Sequence, residues 1–216
     1  MIKFDQLRVA FRLIGQAFRY LWEDWANNVL ISLLAILASL TLLFAGPAVM
    51  GVCVVGADLA DGVRTGIAGW WTGFKAYFWQ GVTYGMVNLA LLTVFAISLW
   101  FYTEIDTIWA PLLAIALIFF GILWGFVQFY TPGYLVAQEE KSLALAWKNS
   151  LLTVLSAPIM SLVLGSFALG VALFSVGLFL PLFFGTMPLL GLLSVLAARD
   201  RFAGIPAHED RENAAD

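Results

Sequence analysis

Charge is what this 216-residue chain has least of. Asp, Glu, Lys and Arg make up 12% of it, against about 25% in a typical soluble domain. Between Lys148 and Arg199 there are 50 positions without one charged side chain, and further uncharged runs of 33, 28 and 32 residues fill 25–57, 76–103 and 107–138. Cysteine is nearly absent. Cys53 alone excludes an intrachain disulfide and a multi-cysteine metal site, and reads as a small buried apolar residue. The one histidine, His208, lies in the polar tail. With Cys53 it is too little for zinc, and no nucleophile–histidine pair forms around it. Neither GxxxxGK before Ser or Thr nor GxGxxG occurs, so no phosphate-cradling loop is expected. A net charge of −3 leaves no basic field for nucleic acid. The acids Asp58, Asp61, Glu104, Asp106, Glu139 and Glu140 sit at the ends of the apolar runs, not inside them, so the usual mark of a proton relay or coupled transporter is missing. These absences point to a protein that is not an enzyme and carries no cofactor or metal.

What fills the chain is hydrocarbon: 62% hydrophobic residues and a mean hydropathy of +0.92. A bilayer core about 30 Å thick takes roughly 20 apolar helical residues to cross. The first three uncharged runs each hold one such span and the last holds two. The expected fold is all-α, a polytopic transmembrane bundle of five spans at about 28–46, 82–102, 109–131, 151–171 and 177–198. It forms one domain over 27–198, with a polar, disordered tail at 199–216. Proline breaks a helix by removing a donor and crowding the preceding turn. Gly46-Pro47 is therefore expected to kink one long first helix that leaves the bilayer near Asp58, or else to bend a re-entrant hairpin. Thr131-Pro132-Gly133 is expected to stop span 3. Pro158, Pro181 and Pro188 should bend the last region.

Residues 1–26 carry seven charges and no apolar core of their own, unlike a cleavable signal. Phe4, Leu7, Phe11, Ile14, Phe18, Leu21 and Trp25 recur at spacings of three and four, with Arg8, Arg12, Gln16, Arg19 and Glu23 opposite. This predicts an amphipathic helix lying in the membrane interface, or one packed on the protein's own bundle. Eight of the nine tryptophans fall at predicted span edges, where an indole is satisfied on both its apolar and polar sides; Trp124 alone lies well inside a span. Seven Lys and Arg in loops 58–80 and 137–149 and the tail outnumber four before span 1. That places the loops and C-terminus in the cytoplasm, although a basic N-terminal helix would favour the same leaflet.

Two amides, Asn88 in span 2 and Gln128 in span 3, are the candidate intramembrane polar contacts. They could bond across a helix pair or, with Tyr84, Trp124 and Tyr130, meet a neutral solute such as a sugar. Gly81-x-x-x-Gly85, Gly121-x-x-x-Gly125 and Ala168-x-x-x-Ala172 are small-residue patches suited to close helix packing. The aromatic loop 58–80, with Trp70, Trp71, Phe74 and Lys75, is the candidate partner-docking loop.

The order of these features resembles the YesL-like bacterial membrane proteins, a domain of unknown function. Asn28 opens the first span and Pro47-Ala48 closes it. Trp70-Trp71-x-x-Phe74-Lys75-x-Tyr77-Phe78 precedes the second span, and Pro132 ends the third. Lys148-Asn149-Ser150 precedes the fourth, and Pro158 lies early in it. The resemblance covers nearly the whole chain. It implies about five spans, a multi-pass protein of the bacterial inner membrane with cytoplasmic loops, and an accessory role beside a carbohydrate transporter. Passage of a small neutral solute is the alternative.

Overall fold

The computed structural model describes residues 2–105, 107–178 and 185–203. These form nine helices, and the described residues contain no strand. They are α1 Ile2–Glu23, α2 Trp25–Ser39, α3 Leu42–Ala60, α4 Gly66–Ala76, α5 Phe78–Glu104, α6 Ala110–Ala137, α7 Leu143–Ser156, α8 Pro158–Leu178 and α9 Met187–Ala203. Four of them, α3, α5, α6 and α8, are long and apolar enough to cross a membrane. Helices are the form such segments must take, because hydrocarbon offers backbone N–H and C=O groups no partner outside the segment. The chain is a polytopic membrane protein. The expected fifth span at 177–198 and its Pro181 fall partly on 179–184, outside the described residues. The described part of that span belongs mainly to α9, which is 17 residues long. The tail beyond Ala203, with His208, also lies outside them.

The first expected span is corrected. The helix breaks at Leu40-Thr41, not at Gly46-Pro47. Ile31 and Ala35 of α2 share one buried cluster with Ala48, Val52, Val55 and Leu59 of α3, so α3 folds back along α2 as a hairpin. Two hydroxyls mark the end of α2 by bonding backward: Ser39 Oγ donates to the Ala35 carbonyl at 2.7 Å and Thr41 Oγ1 to the Ala38 carbonyl at 2.8 Å. Such bonds offer the chain an alternative to the helical ladder. Pro47 sits near the start of α3, where its missing N–H frees only the carbonyl four residues back. Gly46 and Pro47 instead make a close crossing. A Cβ on Gly46 would run into the Gly81 carbonyl of α5, and one on Gly81 into the backbone of Pro47.

Three other boundaries differ. Segment 58–80 is not a loop throughout, since α4 packs back along α3 with Trp70 on Gly51 and Gly73 on Val54. Helix α6 continues through Pro132 to Ala137. The fourth span is divided at Ala157, the residue before Pro158, which the proline ring pushes out of helical geometry (φ −129°, ψ 63°). Ser142 starts α7, its Oγ accepting from the Leu145 N–H at 3.3 Å.

Helix α3 is the hub, touching α2, α4, α5, α6 and α9. It is buried over most of its length, and Gly56 and Gly191 let α3 and α9 approach. Helix α1 lies along α8 and α9. It buries Ala10, Leu13 and Ala17, while Phe4, Phe11, Phe18 and Trp22 stay exposed beside Arg8, Arg12 and Arg19. The helix rests on the bundle by a small-residue face and leaves these aromatic side chains outward.

Candidate functional site

The two amides are brought together. At 100° per residue, Tyr84 and Asn88 stand one turn apart on α5, and Trp124 and Gln128 one turn apart on α6. Asn88 Nδ2 donates to Gln128 Oε1 at 3.0 Å and to the Tyr84 carbonyl at 2.9 Å. Trp124 Nε1 donates to Asn88 Oδ1 at 3.2 Å. From α7, Trp147 Nε1 donates to the same Gln128 Oε1 at 3.3 Å. Three helices therefore meet on one carboxamide pair.

Pro132 explains why the cluster sits at this height. A proline cannot donate to the carbonyl four residues back, so the Gln128 carbonyl loses its helical partner. Tyr84 Oη supplies one, donating to the Gln128 carbonyl at 3.1 Å. The next N–H, of Gly133, donates to Ser194 Oγ of α9 at 2.9 Å, and a Cβ on Gly133 would collide with the Ser194 backbone. The helix survives its proline because neighbouring helices satisfy the freed groups, as membrane helices require. Farther along, Thr131 Oγ1 donates to Ser150 Oγ at 3.2 Å, and Tyr134 Oη lies 2.5 Å from Thr153 Oγ1. These hydroxyl pairs stitch α6 to α7.

One polar atom in the cluster has no partner among the described residues: Gln128 Nε2. The residue is only 8% exposed. On one side, Gln128 borders a cavity of about 240 Å³ shared with Cys53, Tyr84, Pro132 and Ser194, between α3, α5, α6 and α9. On the other it closes a larger cleft of about 540 Å³ between α5, α6 and α8. Asn88 and Trp124 border that cleft too. Its remaining walls are Leu, Ile, Phe, Gly and Ala, and no described charged residue lines it. Among the described residues, a Cβ on Gly121 or Gly125 would meet nothing within 4 Å. These glycines face the cleft opposite Ala168 and Ala172 instead of packing a helix.

Of the five residues suited to a neutral solute, Tyr84, Asn88, Trp124 and Gln128 converge and Tyr130 does not. Its ring is fully buried in the main core. Trp147 reads in the sequence only as a span marker, and its spacing gives no sign that α7 turns it toward α6. Of the docking residues, Trp70 and Phe74 face inward, and Trp70 Nε1 donates to the Ala48 carbonyl at 3.2 Å. Trp71 stays half exposed, with Lys75 Nζ 5.5 Å above its ring. Among the described residues no three His, Cys, Asp or Glu side chains gather to hold a metal; Asp106 lies outside them. At the far end of α3, Arg199 pairs through two nitrogens with Asp61 at 2.7 and 3.0 Å. That hydrogen bonding holds the Asp61 carboxyl below its ordinary range.

Comparison of the chain with known protein families, with curated proteins and with solved structures finds no match.

Proposed function

We propose that this protein is a non-enzymatic accessory component of a membrane complex, acting by binding within the bilayer. The observation that carries this reading is how the intramembrane polar groups are used. Around Asn88 and Gln128 nearly every donor and acceptor is taken within the same chain, one bond inside α5 and the rest between helices. A water-filled sugar path needs many free polar groups along it. The same hairpin of α5 and α6 presents a long apolar surface: Leu92, Ile97, Trp100, Ile115, Phe119 and Phe120 are all exposed. A partner helix in the membrane would meet it by packing. The YesL-like order of motifs adds the neighbourhood of carbohydrate uptake, with the C-terminus in the cytoplasm and five spans.

A photo-crosslinking residue placed at Phe120 tests the reading in native membranes. One adduct of discrete mass, absent when the crosslinker sits at Leu30, is the expected result. Only lipid adducts at both positions would refute it. The second reading, passage of a neutral solute, is favoured by the convergence of Tyr84, Asn88, Trp124 and Gln128. Uptake of labelled sugar by liposomes holding the purified protein, lost in Asn88→Leu, would establish it in place of the first.

A further inference from the structure

We propose that the cleft between α5, α6 and α8 is a binding site for an uncharged, single-chain lipid whose head carries one hydrogen-bond acceptor oxygen, an alcohol or a carbonyl, taken by Gln128 Nε2. Three observations on different links of the chain lead there.

The first is the orphan donor. Gln128 Oε1 accepts from both Asn88 Nδ2 and Trp147 Nε1, which fixes the orientation of the carboxamide and leaves Nε2 as the end without a partner. A buried N–H with no acceptor is costly in a medium without water. Gln128 borders both the cleft and the smaller cavity, and its side-chain partners mark the cleft as the space this donor serves. Its amide partner Asn88 and that partner's donor Trp124 both border the cleft, and neither borders the cavity. What the cavity meets is Tyr84, which serves the Gln128 main-chain carbonyl.

The second is the room. The cleft volume of about 540 Å³ falls in the range of small-molecule sites, roughly 300–1,000 Å³. Small side chains make it, since Gly121 and Gly125 of α6 face it with nothing described, beyond their own helix backbone, within 4 Å of their missing Cβ. Ala168 and Ala172 line the opposite wall. Two small-residue stripes that would otherwise bring helices into contact here hold a gap open. From Gln128 to Leu117 at 1.5 Å per residue the groove runs about 16 Å. Half of a 30 Å hydrocarbon core is about 15 Å, the reach of one acyl chain.

The third is the absence of a counter-charge. No described charged residue lines the cleft, so an anionic or cationic head would be desolvated without compensation. A neutral oxygen is what a single amide donor can serve. Several free hydroxyls, as on a sugar, would find one donor and apolar walls.

The test uses the full-length protein in detergent with three photoactivatable probes of equal chain length: a long-chain alcohol, the matched alkane and the matched carboxylate at neutral pH. Peptide mapping should place the alcohol on α6 and α8 facing the cleft. Competition should favour the alcohol over the other two by about tenfold, the worth of one well-placed hydrogen bond. Gln128→Leu should erase that preference and leave alkane labelling of the cleft intact. Ala168→Phe, which fills the groove away from the amides, should abolish labelling by all three; it serves as the check if Gln128→Leu fails to fold. Equal labelling by the three probes, labels spread over the outer surface, or an unchanged preference in Gln128→Leu would each overturn the proposal.

Discussion

Two halves of this molecule share one composition and have opposite packing. Around α3, apolar helices are pressed together until backbone meets backbone: Gly46 on Gly81, Gly133 on Ser194, Gly56 on Leu192. Along the distal parts of α5, α6 and α8, equally apolar helices stand apart. The one buried residue of α5 is Gly81, at its packed end, and beyond their own helix backbone Gly121, Gly125 and Gly170 have nothing described within 4 Å of a would-be Cβ. Hydrophobicity does not separate the halves, because lipid is as apolar as a leucine side chain and supplies no force between helices. What separates them is whether a small residue on one helix faces a backbone on another, and whether a polar group nearby has a partner to find.

The largest break in that comparison comes from leucine placed at matched glycines. Gly46→Leu or Gly133→Leu must move a neighbouring backbone, since the clash is with carbonyl groups and not with a flexible side-chain tip. Overpacking of this kind costs about 1–3 kcal/mol where side chains can yield. Here more than about 4 kcal/mol, or complete loss of folded protein, is expected. Gly121→Leu and Gly125→Leu enter open space and should stay within about 0.5 kcal/mol of the parent. Unfolding in mixed micelles by detergent titration reads all four. Equal losses at the four sites would mean that the open half is closed against protein in the folded state.

Next in size is the proline-linked pair. Tyr84→Phe removes the one donor that the described residues give the Gln128 carbonyl across the helices, leaving a buried acceptor unpaired, at a cost of about 1–3 kcal/mol. Pro132→Ala restores an N–H four residues on, so the helix can serve that carbonyl itself. The penalty of Tyr84→Phe should therefore shrink in the Pro132→Ala background, and a double-mutant cycle measures the coupling. A full penalty in both backgrounds would mean that the Tyr84 hydroxyl acts elsewhere than at the carbonyl freed by Pro132. Asn88→Leu sharpens the same contrast at lower amplitude. It loses two bonds between helices, to Gln128 Oε1 and from Trp124 Nε1, each worth about 0.6 kcal/mol on the scale of intramembrane hydrogen bonds.

The membrane class and the helical fold are legible in the sequence because they do not depend on periodicity: long neutral runs admit one solution in hydrocarbon. Asn88 and Gln128 are legible as a pair because amides are rare there. The helix ends are not. Proline reads as a breaker at 47 and 132, yet both lie inside helices, and the true break at Leu40-Thr41 rests on two hydroxyls that bond backward. Whether a proline stops a helix depends on partners from elsewhere, here Tyr84 as donor and Ser194 as acceptor, and a linear reading does not place those. The aromatic segment misleads for a related reason. Trp70 and Phe74 look like membrane-surface residues by type, but Gly51 opens a seat for Trp70 on α3, and of the four docking candidates Trp71 and Lys75 are left facing out.

The smallest effect belongs at the rim of the packed half, where Arg199 of α9 holds Asp61 at the end of α3. The Asp61 side chain is 58% exposed, so the pair is screened and worth about 0.2–1 kcal/mol. Its sign with pH is nonetheless fixed. The folded carboxyl titrates below its ordinary value of 3.8 because the guanidinium donates to it. Folding therefore favours the ionised form. The stabilisation is complete above the unfolded value and is lost as pH falls through the folded one. Asp61→Asn should lower stability slightly at pH 7, the loss should fade as pH falls through the folded carboxyl's titration, and the difference at pH 7 should narrow as salt is raised. A gap that persists in acid would assign the contact to hydrogen-bond geometry instead of charge, and would place even the edge of this half under the same packing rule as its glycine-lined centre.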